Sequence, residues 1–302
     1  MTIFCRDRWL SVALTLGLAA LPTGAFAPPS QAQGLLQAQS LAQAEGGAIL
    51  ETVLPEPSPV APDYDLLARV IQKQFGSAAY ETESRMRFIG AFEGNQFNAQ
   101  VQTKTLTAAP NQFRSEVQFL DEAGQPVRAF LILSDGEQVS ILDRDRNQYS
   151  TLSTAAFSSS NDDFLIGLSA SFVLSMQADF STELESLSEL DPKSLAELIQ
   201  SGLSGEAQED ISFGELSLAG QQISTIALDV PTESLFMTVG MEAETGDLSL
   251  FQILGQANQV DVEIVETVES RKALATVPAD AFVFTPPPGA ELASEPIDLS
   301  PF

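Results

Sequence analysis

The fold is decided by residues 130–152, which read FLILSDGEQVSILDRDRNQYSTL. The apolar run at their start ends in Ser134-Asp135-Gly136, and a second apolar run covers residues 139–142. Asp-Gly between two apolar runs predicts a tight β-hairpin, because glycine adopts the positive φ angle that such a turn requires. A charged turn at residues 143–147 follows, and the chain resumes at Tyr149. Two turns in such short succession predict an antiparallel meander rather than a parallel α/β unit.

Alternating apolar and polar residues extend this meander in both directions. Met86, Phe88 and Phe92 share one face of a strand, and the alternation recurs in residues 97–102 and 113–119. A period of two is typical of a sheet with one buried and one solvent-exposed face. Further strands are predicted at residues 213–218, 223–230, 235–241, 248–254, 260–265 and 281–285. The total of roughly ten or eleven strands indicates a barrel or a curved sheet.

Helices are predicted before the strands and between them. Asp63 is a good N-cap, and Gly76 a good C-cap, for a helix over residues 64–75. A helical insertion interrupts the strands, with helices predicted at residues 162–176, capped by the aspartates at their start, and at residues 192–202, which begin with proline. The apolar residues of this insertion are either ordinary core or the inner side of a lid over the sheet.

The first 32 residues have the pattern of a cleaved signal peptide. Arg6 and Arg8 form a basic segment, residues 10–21 are apolar, and Ser30-Gln31-Ala32 offers small residues at a cleavage site. Cys5 is the only cysteine. It would be lost with the signal peptide, so the mature chain is expected to carry neither a disulfide nor a lipid anchor. We therefore expect a soluble exported protein.

The rest of the chain divides into three predicted parts. Residues 33–62 are rich in Gln and Ala and then in Pro, which predicts a disordered linker. Residues 63–292 contain the predicted helices and strands and are expected to form one domain. Residues 293–302 are interpreted as a flexible tail.

The chain is strongly acidic, with a formal charge of −27 from 14 Lys and Arg against 41 Asp and Glu. Such a surface repels the phosphates of nucleic acids and the head groups of anionic lipids, so we expect no nucleic-acid partner. The chain has no histidine. It therefore lacks the commonest general base and the commonest metal ligand.

The local motifs support neither catalysis nor metal binding. Asp143-x-Asp145-x-Asn147 resembles the start of a calcium loop, but Gln148 stands where that loop needs glycine. Ser169 lies in Gly-Leu-Ser-Ala-Ser, which lacks the second glycine of a nucleophile elbow, and there is no histidine to activate it. We expect no enzyme, no bound metal and no cofactor.

Three local patterns occur together in this chain. They are residues 110–114 (PNQFR), the Ser134-Asp135-Gly136 turn with Asp143 and Tyr149 after it, and residues 282–290 (FVFTPPPGA). In their order and separation they resemble the LolA-like periplasmic lipoprotein carriers and related predicted periplasmic proteins of the same fold. The third pattern is the most specific. The resemblance covers residues 63–292.

This resemblance implies an α+β fold, an unclosed antiparallel β half-barrel with helices covering its concave face. It also implies a location in the periplasm and an apolar cavity that holds the acyl chains of lipoproteins. One position departs from the family's pattern. In the carriers a basic residue typically precedes the Pro-Asn turn and helps to lock the lid, whereas this chain has Ala109 there. The acidic surface also differs from the basic docking surface of a carrier that hands its cargo onward.

We expect a monomeric periplasmic protein that sequesters a lipid, or the acyl chain of a lipoprotein, non-covalently and without a stable membrane anchor. The apolar residues predicted to line the cavity are Met86, Phe88, Phe92, Phe97, Val117, Phe119, Leu131, Leu133, Phe164, Leu168, Phe172, Phe282 and Phe284. The alternative for these residues is an ordinary core filled by the protein's own helices. The alternative function is an envelope sensor or protein-interaction module of the same fold, with an envelope protein as its partner.

Overall fold

The computed structural model describes residues 54–55, 57–92, 95–108, 110–160, 162–203, 211–230, 235–257 and 260–299. The predicted signal peptide, most of the predicted linker and Ala109 lie outside these described residues. Within the described part of the chain, no helix combines the length and the apolar character needed to cross a membrane.

The described residues form one large sheet whose strands are β1 (Ser58–Pro59), β2 (Ala79–Phe92), β3 (Asn95–Ala108), β4 (Gln112–Leu120), β5 (Pro126–Asp135), β6 (Gln138–Asp143), β7 (Gln148–Ser153), β8 (Ile211–Leu218), β9 (Gln221–Val230), β10 (Leu235–Glu242), β11 (Leu248–Ala257), β12 (Val260–Ala273) and β13 (Glu291–Leu292). Their spatial order is β1-β8-β9-β10-β11-β12-β2-β3-β4-β5-β6-β7-β13. The two edges do not meet, so the predicted open half-barrel is confirmed.

Two antiparallel meanders, β2–β7 and β8–β12, make up most of this sheet. They are joined by the long pairing of β12 with β2, in which Asp261 lies opposite Ala91 and Ala273 lies opposite Tyr80. At the far edge, β13 pairs with β7 in parallel. Every other pair of neighbours is antiparallel, as the closely spaced turns predict.

The predicted hairpin at Ser134-Asp135-Gly136 is confirmed, since it joins β5 to β6. Gly136 has a φ of 105°, which supplies the positive angle that the turn needs. The carboxylate of Asp135 accepts hydrogen bonds from the backbone N–H groups of Glu137 and Gln138 at 2.9 and 2.8 Å. These bonds fix the turn and therefore the register of the two strands.

The helices are α1 (Tyr64–Phe75), α2 (Thr154–Ser159), α3 (Leu168–Ser188) and α4 (Pro192–Gly202), with a 3₁₀ helix at Asp163–Ile166. The predicted caps of α1 and α4 are confirmed, because Asp63 accepts from the backbone N–H of Leu66 and Asp191 accepts from that of Ser194. The helix predicted over residues 162–176 differs. Gly167 divides it into the 3₁₀ helix and α3, which continues to Ser188.

Two segments predicted to lack structure pack against the sheet. Within the predicted linker, β1 pairs with β8, and the N–H of Val60 donates to the carbonyl of Phe213 at 3.1 Å. Within the predicted tail, the N–H of Ala293 donates to the carbonyl of Tyr149 at 2.8 Å, and Leu299 is only 2 % exposed. Residues up to 299 are therefore part of the folded domain.

The strand predicted at residues 281–285 does not form. The N–H groups of Ala281 and Val283 donate to the carbonyls of Pro278 and Asp280, so they close turns instead of pairing with a strand. The edge of β7 is taken by β13, which leaves these residues without a strand to pair with. The alternation of apolar and polar residues in this segment therefore did not indicate a β-strand.

Candidate ligand-binding face

The helices lie on one side of the sheet, which we call the helix-covered face. Its strand residues and the helices share one apolar core. The buried strand residues of that core are Met86, Phe88, Ala99, Val101, Phe113, Val117, Phe119, Phe130, Ile132, Val139, Ile141, Met241, Leu248 and Phe251. This face is the candidate site, because it is the large apolar surface on which a hydrophobic ligand would compete with the protein's own helices.

Most of the predicted site residues meet on this face. Met86, Phe88, Val117, Phe119 and Leu168 are buried in its core, and Phe164 and Phe172 pack against it. The ring of Phe164 lies 5.0 Å from that of Phe88, and the ring of Phe172 lies 5.5 Å from that of Phe251, measured between centroids. The helical insertion thus places two aromatic rings on the apolar part of the sheet.

Leu131 and Leu133 are predicted on this face, but the structure places them on the opposite one. Their neighbours in β5, Phe130 and Ile132, belong to the helix-covered core, and successive side chains of a strand point to opposite faces. All four side chains are buried. Because residues 130–133 (FLIL) are all apolar, the sequence does not show which two of them point towards the helices.

The C-terminal aromatic residues also lie away from the helices. The ring of Phe284 contacts that of Tyr149 at a centroid distance of 5.5 Å, and the strand register places Tyr149 on the same face as Leu131. Phe282 is buried, outside the helix-covered core. The remaining predicted residues, Phe92 and Phe97, have side chains outside the described part of the structure.

Part of the helix-covered face is polar. Buried hydroxyl groups on β2, β3 and β4 form cross-strand hydrogen bonds, between Ser84 and Thr103 at 2.8 Å and between Thr105, as the acceptor, and Ser115 at 2.7 Å. The hydroxyl of Thr105 also donates to the carbonyl of Ile166 at 2.6 Å. These hydroxyl groups therefore connect the sheet to the end of the 3₁₀ helix.

A buried carboxylate makes a second polar connection to the same segment. Glu266 on β12 is fully buried, and it accepts hydrogen bonds from the N–H of Ser169 at 2.6 Å and from its hydroxyl at 3.0 Å. The first N–H groups of a helix lack partners within the helix, so the carboxylate satisfies one of them at the start of α3. Burial raises the pKa of Glu266, and the hydrogen bonds from Ser84 and Ser169 oppose this effect.

Gly167 allows the chain to approach this carboxylate closely. Its φ of 101° is unfavourable for residues with a side chain, and a Cβ atom there would lie 2.9 Å from Oε1 of Glu266. We use the term lid for the 3₁₀ helix, Gly167 and α3 together, and the term latch for the contacts of Thr105 with Ile166 and of Glu266 with Ser169.

A β-bulge brings another charged residue to the helix-covered face. Glu266 lies opposite Met86, an inner residue of β2. The register then shifts between residues 268 and 270, and Arg271 lies opposite Thr82. Thr82 and Met86 are an even number of residues apart in β2, so they point to the same face. Glu266 and Arg271 are five residues apart and would point to opposite faces of a regular strand. The bulge corrects this difference, and both face the same side.

Arg271 is held against β2 by two contacts. Its Nη1 donates to the hydroxyl of Thr82 at 2.9 Å, and its guanidinium carbon lies 4.3 Å from the centre of the Tyr80 ring. Burial lowers the pKa of Arg271 to about 10, so the side chain remains charged at neutral pH.

Two aromatic rings of the lid, those of Phe164 and Phe172, pack on the face that the lid covers. Two concavities, each with a volume of about 420 Å³, lie elsewhere on the surface. One lies between the start of α1 and α4 and includes Tyr64 and Glu197, and the other lies beside β6 and β7 and includes Gln138 and Thr151. A ligand on the helix-covered face would therefore have to displace the rings of the lid.

The polar residues of this face were partly visible in the sequence. Glu266 follows Val262 and Ile264 at intervals of two, so a charged residue occupies a position that alternation assigns to the interior. Arg271 has no such signal, because the bulge that turns it inward depends on pairing with β2.

No protein-family model matches the chain, and no curated protein matches it. Solved structures are similar to it. An uncharacterized conserved protein from Thermus thermophilus has 11% identity and a TM-score of 0.36, with 76% of this chain and 96% of that chain covered. LprF from Mycobacterium bovis has 12% identity and a TM-score of 0.34, with 73% and 98% covered. A LolA superfamily protein from Nitrosomonas europaea has 10% identity and a TM-score of 0.27, with 74% and 99% covered.

Of these similarities, the one to the LolA superfamily protein involves the family that the three sequence patterns resemble. The similarities concern the path of the chain alone.

Proposed function

From a LolA-like fold with a lid on its apolar face, we propose that this protein binds a lipid, or the acyl chain of a lipoprotein, non-covalently on the helix-covered face. The observation that supports this most is the position of Phe164 and Phe172, whose rings lie on Phe88 and Phe251 where an acyl chain would lie. The proposal includes the periplasm as the location and a monomer as the binding form.

Opening the lid exchanges one apolar partner of the sheet for another. Burial of apolar surface contributes about 25 cal/mol per Å² whichever molecule supplies the surface, so an acyl chain can offset the contacts that the rings lose. The latch is suited to such an exchange, because Ser169 and Glu266 can bond to water when they separate. A lid fixed only by apolar packing would have no such replacement.

We propose that binding occurs without catalysis. Ser169, the serine considered above as a candidate nucleophile, donates its hydroxyl hydrogen to Glu266 in the latch. The chain has no histidine that could activate it. Release of hydrolysed product from any envelope lipid incubated with the full chain would contradict this part of the proposal.

The binding proposal is tested by labelling the full chain with a photoactivatable fatty acid and identifying the labelled peptides by mass spectrometry. We expect labels on inner residues of β2–β4 and on the lid, which an unlabelled fatty acid displaces. Phe172→Glu should abolish this labelling, whereas Val283→Glu, the same kind of change at an exposed position, should not. Labelling that excess unlabelled fatty acid does not reduce would overturn the proposal, as would native mass spectra of envelope-derived protein that contain only the polypeptide.

A protein-interaction module is the second candidate function. It is favoured by the packing of the lid against the helix-covered face, since a protein partner could use the outer surfaces without opening the lid. A pull-down from envelope extract that yields one stoichiometric protein partner and no lipid would support this second function. Extractable lipid without such a partner would support the first.

A further inference from the structure

The guanidinium of Arg271 has one unused edge. Its Nη1 bonds to Thr82, but Nε and Nη2 are buried and have no hydrogen-bond partner among the residues that the structure describes. Glu266 and Asp247 attract Arg271 through space, yet neither is close enough to it to form an ion pair among the described contacts. Buried donors without partners are uncommon in folded proteins, because each loses its hydrogen bonds to water.

The nearby carboxylates are engaged elsewhere. Glu266 accepts its hydrogen bonds from Ser84 and Ser169, and Asp247 pairs with Lys73 of α1 at 2.7 Å. The positive charge of Arg271 is thus compensated only at a distance. Its unused edge, Nε and Nη2, has no anionic partner among the described residues.

A second unpartnered atom lies on α1, the helix that Tyr80 contacts. Gln74 of α1 is buried, and its Oε1 has no partner among the described residues. The backbone carbonyl of the preceding residue, Lys73, accepts a hydrogen bond at 2.7 Å from the hydroxyl of Tyr80, whose ring lies against Arg271. Unsatisfied polar atoms therefore occur in both layers around Tyr80.

The shape of the unused edge indicates the chemistry of its ligand. Nε–H and Nη2–H of an arginine point in the same direction, and they match two oxygen atoms of one carboxylate or phosphate. We propose that Arg271 is the head-group subsite for an amphiphile, binding the carboxylate or phosphate at its head through Nε and Nη2. This inference rests on the proposed binding function and adds the chemical class of the ligand's head.

The strand geometry connects this subsite with the apolar part of the face. Thr82, Met86 and Phe88 have the same phase in β2, and Arg271 lies opposite Thr82. The distance along the strand from Thr82 to Phe88 is about 20 Å at the rise of a β-strand. A single extended acyl chain that follows β2 would therefore run from the guanidinium to the rings beneath the lid.

The test compares the binding of laurate, dodecanol and inorganic phosphate to the full chain by displacement of a fluorescent fatty-acid probe. We expect laurate to bind at least tenfold more tightly than dodecanol to the wild-type protein. Arg271→Met should remove this preference while leaving the affinity for dodecanol unchanged, and Arg271→Lys should retain part of it. Arg85→Met is the matched control, because it makes the same change in net charge at an exposed residue paired with Glu269 at 2.6 Å.

The outcomes separate this inference from the function on which it rests. Equal affinities for laurate and dodecanol would overturn the head-group subsite and leave hydrophobic binding intact. Displacement by neither would overturn both. Displacement by inorganic phosphate alone would overturn the assignment to an amphiphile. If Arg271→Met fails to fold, the wild-type preference and the Arg271→Lys variant still decide the question.

Discussion

The N–H of Ser169 and the carboxylate of Glu266 are joined by a hydrogen bond of 2.6 Å that links α3 to β12. The helix thus receives its N-terminal acceptor from the sheet and not from the residue that precedes it, which is Gly167 and has no side chain. Ser169 and Glu266 are 97 residues apart in the sequence. The position of the lid therefore depends partly on a strand far downstream of it.

Removal of this acceptor should loosen the lid. Glu266→Ala leaves the N–H and the hydroxyl of Ser169 buried without their partner, and we expect a loss of about 2 to 4 kcal/mol in the free energy of unfolding. Glu266→Gln keeps an acceptor oxygen and should lose less. Glu263→Ala is the control. Glu263 lies on β12 like Glu266, and its part-buried carboxylate accepts a hydrogen bond from Gln252 of β11. Urea unfolding measures all three, and equal losses for Glu266→Ala and Glu263→Ala would contradict the latch.

Gly167→Ala should be more destabilising than an alanine at another glycine with positive φ. The new Cβ would lie 2.9 Å from Oε1 of Glu266, in addition to the strain of a φ of 101°. We expect a loss of about 2 to 4 kcal/mol by thermal or urea unfolding. At Gly124, where φ is 75° and no atom lies within 4 Å of the added Cβ, the loss should be about 1 kcal/mol. Similar losses at the two positions would show that the close approach is unimportant.

Asp163 should make the protein less stable as the pH rises from about 4 to about 6. Burial raises the pKa of Asp163 from 3.8 to about 6, with the hydroxyl of Ser171 opposing the shift. The folded protein therefore holds this proton more tightly than the unfolded chain. The contribution of this group to stability is fully present below about pH 4 and is lost as the pH rises through 6.

Asp163→Asn isolates this contribution. The substitution removes the titration, so we expect it to stabilise the protein by roughly 1 to 3 kcal/mol at pH 7.5 and to have little effect at pH 4. Urea unfolding of both proteins over this pH range gives the difference directly. A difference that is independent of pH would contradict the assignment, whatever the titration of Asp162 and Glu266 adds to both curves.

The C-terminal segment should contribute measurably to stability. Leu299 is buried in the helix-covered core, and the N–H of Ile297 donates to the hydroxyl of Ser150 at 3.3 Å. Leu299→Ala should lower the free energy of unfolding by about 2 to 4 kcal/mol, as is typical of a leucine removed from a core. Leu292→Ala, at a position that is 65% exposed, should have an effect below about 0.5 kcal/mol. Equal effects of the two changes would mean that the segment is not anchored.

The outline of the fold was predictable where one strand face is polar. In β2 arginine alternates with apolar residues over residues 85–88, and Met86 and Phe88 lie on the face that this alternation assigns to them. In β5 both faces are buried, so Leu131 and Leu133 could not be distinguished from Phe130 and Ile132 by period alone. A continuous apolar run contains no information about its orientation until its partners are known.

The polar part of the candidate site depends on long-range contacts. Arg271 faces inward because a bulge in β12 shifts its register against β2, and a bulge is a property of two strands. The packed C-terminal segment was missed for a related reason. Its burial rests on Ile297 and Leu299, two apolar residues that form no periodic pattern of their own.

The pairing of β12 with β2 has a consequence for incomplete chains. The meander β2–β7 can form from local hairpins, but the outer backbone groups of β2 stay unpaired until β12 has been synthesised and docked. An unpaired strand of this length is a template for other extended chains. Copies that are truncated or cleaved before residue 260 are therefore expected to aggregate through β2. In the intact protein β2 is paired on both sides, by β12 and β3, and offers no free edge.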